Sequence, residues 1–428
     1  MRRAPHRDLG CLLVALAMVL ATAARSAASD GALPAAAAPS SPYGVCAHLP
    51  RGDEYPTARE ELELMRKAGI GWARADFSWS GVEPRRGQWH FEHLDQVVEW
   101  ADAAGVRILP ILDYDVEWAR PAHAHLDLWC EYVRRVVERY KDRIRYWEVW
   151  NEPNLEMFWK DKPDAANYVK LLKASHETIK RIDPELKVLL GGTAGIPWDY
   201  LKRIYAAGGK PLFDVMNVHP YRYPATPEQR PLLDDIQRLR RLMAGHGDAE
   251  KPIWFTEIGW PTHEGPRGVS PEAQARMLAR AYLISLQAGI EVVFWYEFQA
   301  PEHKADYNED HFGIVHRDLR PKPAYEAMVA LSRARPAGSR AVSGEWRSGA
   351  LYHPGWQRPD GRKAWALWQA EGEVESSPSI DGRLDEAMDH LGRTVEPRRE
   401  GNRLLLRVGE GPIYLIGPER IELEHPAP

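Results

Sequence analysis

From residue 43 onward the chain alternates short apolar runs with stretches in which apolar residues recur every three or four positions. The runs YGVCAHL (43–49), GWARADFSW (71–79), VRILPILDY (106–114) and IRYWEVWNE (144–152) read as strands. KVLLGGT (187–193), FDVMNVHPY (213–221), PIWFTEIGW (252–260) and EVVFWYEFQ (291–299) read the same way. Helical patterns lie between them. One sets Trp129, Tyr132, Val133, Val136, Val137 and Tyr140 on a single face. Another begins at Ser270 with Pro271 in its first turn, a helix-start signature. Eight such alternations over 43–335 predict an α/β fold, a (β/α)8 TIM barrel. A doubly wound sheet would alternate in the same way, because periodicity carries no information about closure.

The character changes near residue 336. KAWALWQAEG (363–372) and NRLLLRVGEGPIYLIG (402–417) read as strands, the last two joined by a Gly-Glu-Gly turn. A small all-β domain over 336–428 is expected, a sandwich packed on the barrel, and its expected role is to stabilise the barrel rather than to bind carbohydrate.

The opposite end reads as an export signal. Arg2, Arg3 and Arg7 precede the apolar CLLVALAMVLA (11–21), and small residues follow at Ala23, Ala27 and Ala28. Residues 1–28 are therefore expected to be a signal peptide, too short in its apolar part to span a bilayer as a stable helix. Residues 29–42 are expected to be a flexible leader, no integral membrane segment is expected after signal removal, and the expected location is secreted or periplasmic. A disulfide between Cys46 and Cys130 is possible there. Their positions, on the first strand and on a distant helix, favour two buried free thiols.

Composition narrows the partners. The formal net charge is −5, which offers no basic face to nucleic acid. Seventeen Trp and 17 Tyr against 8 Phe favour rings with polar edges, which suit sugar faces. No signal speaks to oligomeric state.

Two acidic residues carry the candidate chemistry. Glu152 ends the fourth strand run and Glu257 the seventh, each inside aromatic, apolar sequence where a charge needs a reason. Reacting groups of such barrels sit at the carboxyl ends of strands, and strands four and seven face each other. Two carboxylates flanking one bond are what glycoside cleavage requires, one protonated and one ionised. A buried ion pair is the competing explanation for either residue alone.

WNEPN (150–154) with FTEIGW (255–260) resembles clan A of the glycoside hydrolases, the retaining barrel enzymes, over about residues 43–335. The resemblance implies Glu152 as acid/base, Asn151 as a ligand of the sugar 2-hydroxyl and Glu257 as nucleophile. It further implies Arg74 beside the nucleophile, His219 and Tyr221 of NVHPYRY lining the site, and Trp295 as an aromatic platform under the sugar. Where family 5 carries a His after strand three, this chain has Asp113, Tyr114 and Asp115. With NVHPYRY and RPKPAYEAM, that makes the chain more similar to family 39, with family 5 second. A carbohydrate substrate follows, an oligo- or polysaccharide, with no cofactor and no metal.

Other motifs carry less. HRDLRP (316–321) has Pro323 where a kinase loop needs Asn, and reads as a turn before the last barrel helix. HAH (123–125) has no carboxylate at ligand spacing. DYD (113–115) motivates a metal-dependent glycosyltransferase as a rival, and a non-catalytic polysaccharide-binding barrel is a second. His48, Trp79, Trp118, Trp159, Trp198 and Glu297 fall near strand ends, where they either line subsites or pack.

Overall fold

The computed structural model describes residues 41–51 and 57–423. The signal expected over 1–28, and the leader up to residue 40, lie outside the described residues.

Eight parallel strands form the centre: β1 (Tyr43–Cys46), β2 (Trp72–Asp76), β3 (Arg107–Leu112), β4 (Tyr146–Val149), β5 (Lys187–Leu190), β6 (Met216–His219), β7 (Ile253–Ile258) and β8 (Val292–Trp295). From β1 the pairing runs through β2, β3 and β4 to β5 in one direction, and through β8 and β7 to β6 in the other. Leu189 bridges Val215, and Thr193–Ala194, just after β5, pairs with Val218 and His219 of β6. The ring is closed, which separates a barrel from a doubly wound sheet.

Side chains alternate across this sheet. Inside the barrel, Cys46, Trp72, Leu109, Leu189, Val215, Trp254, Val292 and Phe294 form one apolar cluster. Tyr146 stacks on Trp254 at 4.9 Å, and Trp72 meets Trp254 edge-on at 5.3 Å. This aromatic plug fills the lower barrel and leaves only the upper end for polar groups.

Helices cover the outside. Leu126–Tyr140 buries the six residues expected of it from their spacing. Pro271–Gln287 starts at Ser270, whose hydroxyl accepts from the backbone N–H of Ala273. HRDLRP is a turn leading into Pro323–Ala334, and the His316 ring contacts Glu302 at 2.7 Å. No helix among the described residues is long and apolar enough to cross a membrane.

After Arg340 the chain forms two antiparallel sheets. Lys363–Gln369 lies in one and Arg403–Val408 in the other. The Gly-Glu-Gly turn does join two strands, but they belong to different sheets: Ile413–Ile416 pairs with Lys363–Gln369, whereas Arg403–Val408 pairs with Val374–Ser376. Every central residue of Lys363–Gln369 is buried because both of its faces are covered. Trp365 and Leu367 meet Leu404 and Leu406 of the second sheet. Ala364, Ala366 and Trp368 join the core that includes the barrel helices.

Polar contacts tie this interface together. Trp356 donates to the carbonyl of Ala334 at 3.0 Å, Trp368 to Glu228 at 2.9 Å, and Arg280 to both Glu228 and the carbonyl of Ala370 at 2.9 Å. Among the described residues, none of the exposed large hydrophobics on the β sheets is aromatic. Cys46 and Cys130 are both free thiols, the first buried and the second only half-buried.

Candidate active site

The polar layer begins one inward position above the plug. Arg74 on β2 faces inward, and so does Glu148 on β4, which is fully buried. Arg74 grips Glu148 with two parallel hydrogen bonds of 2.8 and 2.9 Å, a fork that locks both side chains. Glu148 also accepts from Asn217 at 2.9 Å and from the backbone N–H of Gly192 at 3.0 Å. Burial alone would lower the pKa of Arg74, but Glu148 and Glu257 outweigh it and hold the guanidinium charged.

Above this layer the backbone leaves regular geometry. β4 ends at Val149, and alternation would turn Trp150 inward. Trp150 instead has φ 72° and Glu152 φ 44°, left-handed values that cost non-glycine residues about 1–2 kcal/mol each. The turn sends Trp150 out against Trp159 and Trp129, at 5.0 and 5.7 Å, and brings Asn151 inward. Asn151 accepts from Arg74 at 2.9 Å and donates to the Tyr114 hydroxyl at 3.2 Å. The N–H of Glu152 donates to the carbonyl of Gly192 at 2.8 Å, which pins the turn.

Glu257 arrives by another device. On β7, Trp254 and Thr256 face inward, so Glu257 should face out. Three steps on β7, Phe255 to Ile258, match two on β8, Val293 to Trp295. This β-bulge lets consecutive residues Thr256 and Glu257 both point into the barrel mouth. Glu257 there accepts from Arg74 at 2.6 Å and from the Tyr221 hydroxyl at 2.7 Å.

His219 links the two glutamates. Its Nδ1 lies 2.9 Å from Glu152 and 3.6 Å from Glu257, and its Nε2 lies 2.9 Å from the Thr256 hydroxyl. Burial pushes His219 down to about 4, so the ring is neutral at pH 7. Burial also pushes Glu152 up to about 7 against the pull of Arg74. One carboxyl is thereby poised to hold a proton, while the other sits against a fixed cation.

A cavity of about 720 Å³ opens over these groups, lined among others by Asn151, Glu152, Tyr221 and Glu257. Of the expected site residues, Arg74, Asn151, Glu152, His219, Tyr221 and Glu257 converge here. Trp295 does not. It is fully buried, stacks on Trp260 at 5.8 Å and donates to the carbonyl of Phe312. Val292 and Phe294 face inward on β8, so strand parity turns Trp295 out, and its neighbour Tyr296 lines the cavity.

Of the six residues left open between lining and packing, only His48 lines the cavity, and its ring contacts the buried Glu297 at 2.9 Å. Trp79, Trp118 and Trp159 pack among aromatic rings, and Arg238 covers Trp198. His123 of HAH stacks on Trp159. Sequence reasoning missed Glu148, Asn217, Thr256 and Gly192. A signal for Glu148 existed, because it is a charge inside an apolar strand at the same inward parity as Glu152. The other three carry none.

Glu152, His219 and Glu257 each present a ligand atom, all within 4.8 Å of one another, a spacing a cation could bridge. Arg74 already supplies positive charge to Glu257, and His219 is engaged by Glu152. The hydrogen-bond network accounts for the convergence without a metal.

The family model described as Glycosyl hydrolases family 39 matches residues 102–225. A β-xylosidase of Geobacillus stearothermophilus is 35% identical over 230 residues, covering 47% of this chain and 44% of that protein. A β-xylosidase of Caldicellulosiruptor saccharolyticus is 38% identical over 96 residues, 21% of this chain and 19% of that one. The chain thus spans less than half the length of these relatives. Among solved structures, a family 39 glycoside hydrolase from Bacteroides cellulosilyticus WH2 superposes with TM-score 0.77 at 24% identity, covering 88% of this chain and 80% of that chain. A monomeric β-xylosidase from Caulobacter crescentus CB15 gives 0.65 at 17% identity, over 91% and 99%. At such identities the structural likeness speaks to the fold. The resemblance to clan A, and within it to family 39, rests on the family model together with the strand-end motifs.

Proposed function

We propose that this chain, similar over its central segment to family 39, is a retaining glycoside hydrolase that cleaves β-linked glycosides or polysaccharide by double displacement. The observation that carries the reading is the spacing of Glu152 and Glu257, which bring carboxylate oxygens within 4.8 Å of each other. Retaining pairs lie about 5–5.5 Å apart, and inverting pairs leave about 6.5–9.5 Å for a water.

The steps follow from the environments. Glu257, held by Arg74 and Tyr221, attacks the anomeric carbon, while Glu152 gives its proton to the leaving oxygen. Glu152, now ionised, takes a proton from water as that water attacks the same carbon, and Glu257 leaves. Asn151, fixed between Arg74 and Tyr114, is placed to meet a sugar hydroxyl beside the reacting carbon.

The relatives named β-xylosidases make β-xylosides the first substrates to try. The basic and apolar residues before position 28 support export to a secreted or periplasmic location, where polysaccharide is met.

Incubation of the protein with β-linked polysaccharides and aryl β-glycosides, followed by mass analysis, tests the proposal alongside Glu257→Gln. Sugar release by the wild type alone supports it. Binding without release by the wild type would favour a non-catalytic barrel. The glycosyltransferase rival has less behind it: Asp113 is fully buried, and Asp115 accepts from the backbone N–H of Ala122 at 2.6 Å, so the two do not form one ligand pair facing the cavity.

A further inference from the structure

Soluble proteins seldom leave large apolar side chains exposed without a use when these cluster at a cavity. Among the described residues three large hydrophobics are exposed, Met157, Tyr307 and Val374, and the first two line the catalytic cavity. Met157 is the most exposed of them, at 65%. It lies in the short helix Glu156–Trp159, five residues after the proposed acid.

That helix is clamped rather than loose. Trp159 at its end is buried, packed edge-on to Trp150 at 5.0 Å and stacked on His123 at 5.2 Å. Phe158 stacks against Tyr114 at 6.4 Å, and Tyr114 in turn accepts from Asn151. Met157 and Phe158 thus form a supported apolar surface on the wall of the cavity that carries Glu152, with Leu155 beside them.

We infer that Leu155, Met157 and Phe158 form a binding site for a sugar ring on the leaving side of the scissile bond, so that the substrate is an oligosaccharide or longer rather than a small glycoside. The inference rests on the proposed acid role of Glu152. An acid that protonates the leaving oxygen has the leaving group against its own loop, and the apolar face of a β-linked pyranose matches an apolar wall. The 720 Å³ cavity has room for more than the reacting ring.

The same site would hold an acceptor sugar in the second step. An acceptor hydroxyl then attacks the anomeric carbon of the glycosyl-enzyme, the bond to Glu257 breaks, and Glu152 takes the hydroxyl proton. Water competes for the same intermediate, so the ratio of transfer to hydrolysis reports occupancy of this site and not the rate at which the intermediate forms.

The test uses 2,4-dinitrophenyl β-xyloside as donor and xylobiose as acceptor, or the corresponding pair for whichever glycoside the wild type cleaves, with wild type and Met157→Ala compared. The exposed position of Met157 lets the variant fold. The expected result is a fall of about fivefold in the transfer-to-hydrolysis ratio, the scale of losing the apolar contact that one methionine makes when a bound ring covers it. An unchanged ratio in an active Met157→Ala enzyme overturns the inference and leaves the glycosidase reading intact. A wild type inert on every glycoside removes that reading, and this site with it.

Discussion

Glu152 and His219 meet at 2.9 Å through a carboxyl oxygen and Nδ1. The Thr256 hydroxyl lies 2.9 Å from Asn217 Oδ1 and 3.2 Å from Glu148, both acceptors, so it donates to one of them and accepts from His219 Nε2. Nε2 therefore carries the hydrogen of the neutral ring, and Nδ1 is a bare acceptor. It can be satisfied by Glu152 only when that carboxyl is protonated.

The pH dependence follows with a definite sign. In the proposed mechanism Glu152, pushed up to about 7, gives its proton in the first step, so kcat/KM for an oligosaccharide should fall as pH rises above about 7. Replacing His219 with Ala removes the acceptor and admits water; both favour the ionised carboxylate, so the alkaline limb moves to lower pH. Glu309, which also lines the cavity, is pushed to about 7 by burial first and Glu257 second, and provides the control. The limb should persist in Glu309→Gln. A profile measured on all three proteins decides the matter.

The two glutamates should respond differently to removal. Glu257→Gln should lose turnover on every substrate, by at least about a thousandfold, because no bond to the sugar can form. Glu152→Ala should be most impaired on poor leaving groups and least on dinitrophenyl glycosides, which depart without a proton. Azide added to Glu152→Ala should restore turnover and yield the β-glycosyl azide, which NMR identifies. An α product would sink the assignment of roles.

Gly192 is required by a close approach. A Cβ placed there would lie 1.9 Å from Nε2 of His219, which has no room to retreat within the Glu152–His219–Thr256 chain. Gly192→Ala should lower kcat by about a hundredfold, the scale of a displacement near 1 Å at a reacting group. Circular dichroism should remain native, so that the loss reads as misplacement and not unfolding.

Arg74 serves the fold as well as the site. Its removal leaves Glu148 fully buried with no cation, and breaking a buried pair from one side costs about 3–5 kcal/mol. Arg74→Ala should therefore lower the urea midpoint, whereas Glu257→Gln should leave it nearly unchanged. Equal midpoints for Arg74→Ala and wild type would contradict the buried-pair account.

Much of this architecture was legible in one dimension. All eight barrel strands lie within the apolar runs that predict them, because a strand buried on both faces must be apolar at nearly every position. The helix face from Trp129 to Tyr140 and the start at Ser270 follow from spacing and capping, which are local. Glu152 and Glu257 stand out for the same reason, as charges where burial forbids an unpaired one.

What the sequence determined by itself was thus the set of strands, with Glu152 and Glu257 marked at their ends as candidates. Closure of the ring through Leu189 and Val215 was decided only in three dimensions, since it pairs strands whose own periodicity is the same in an open sheet. So was the direction of each side chain at the strand ends. The bulge at Phe255–Ile258 turns Glu257 in and the left-handed turn at Trp150 turns Asn151 in, whereas unbroken alternation on β8 turns Trp295 out. A one-residue shift in a pleated strand exchanges its faces, and whether that shift occurs is set by packing between neighbouring strands.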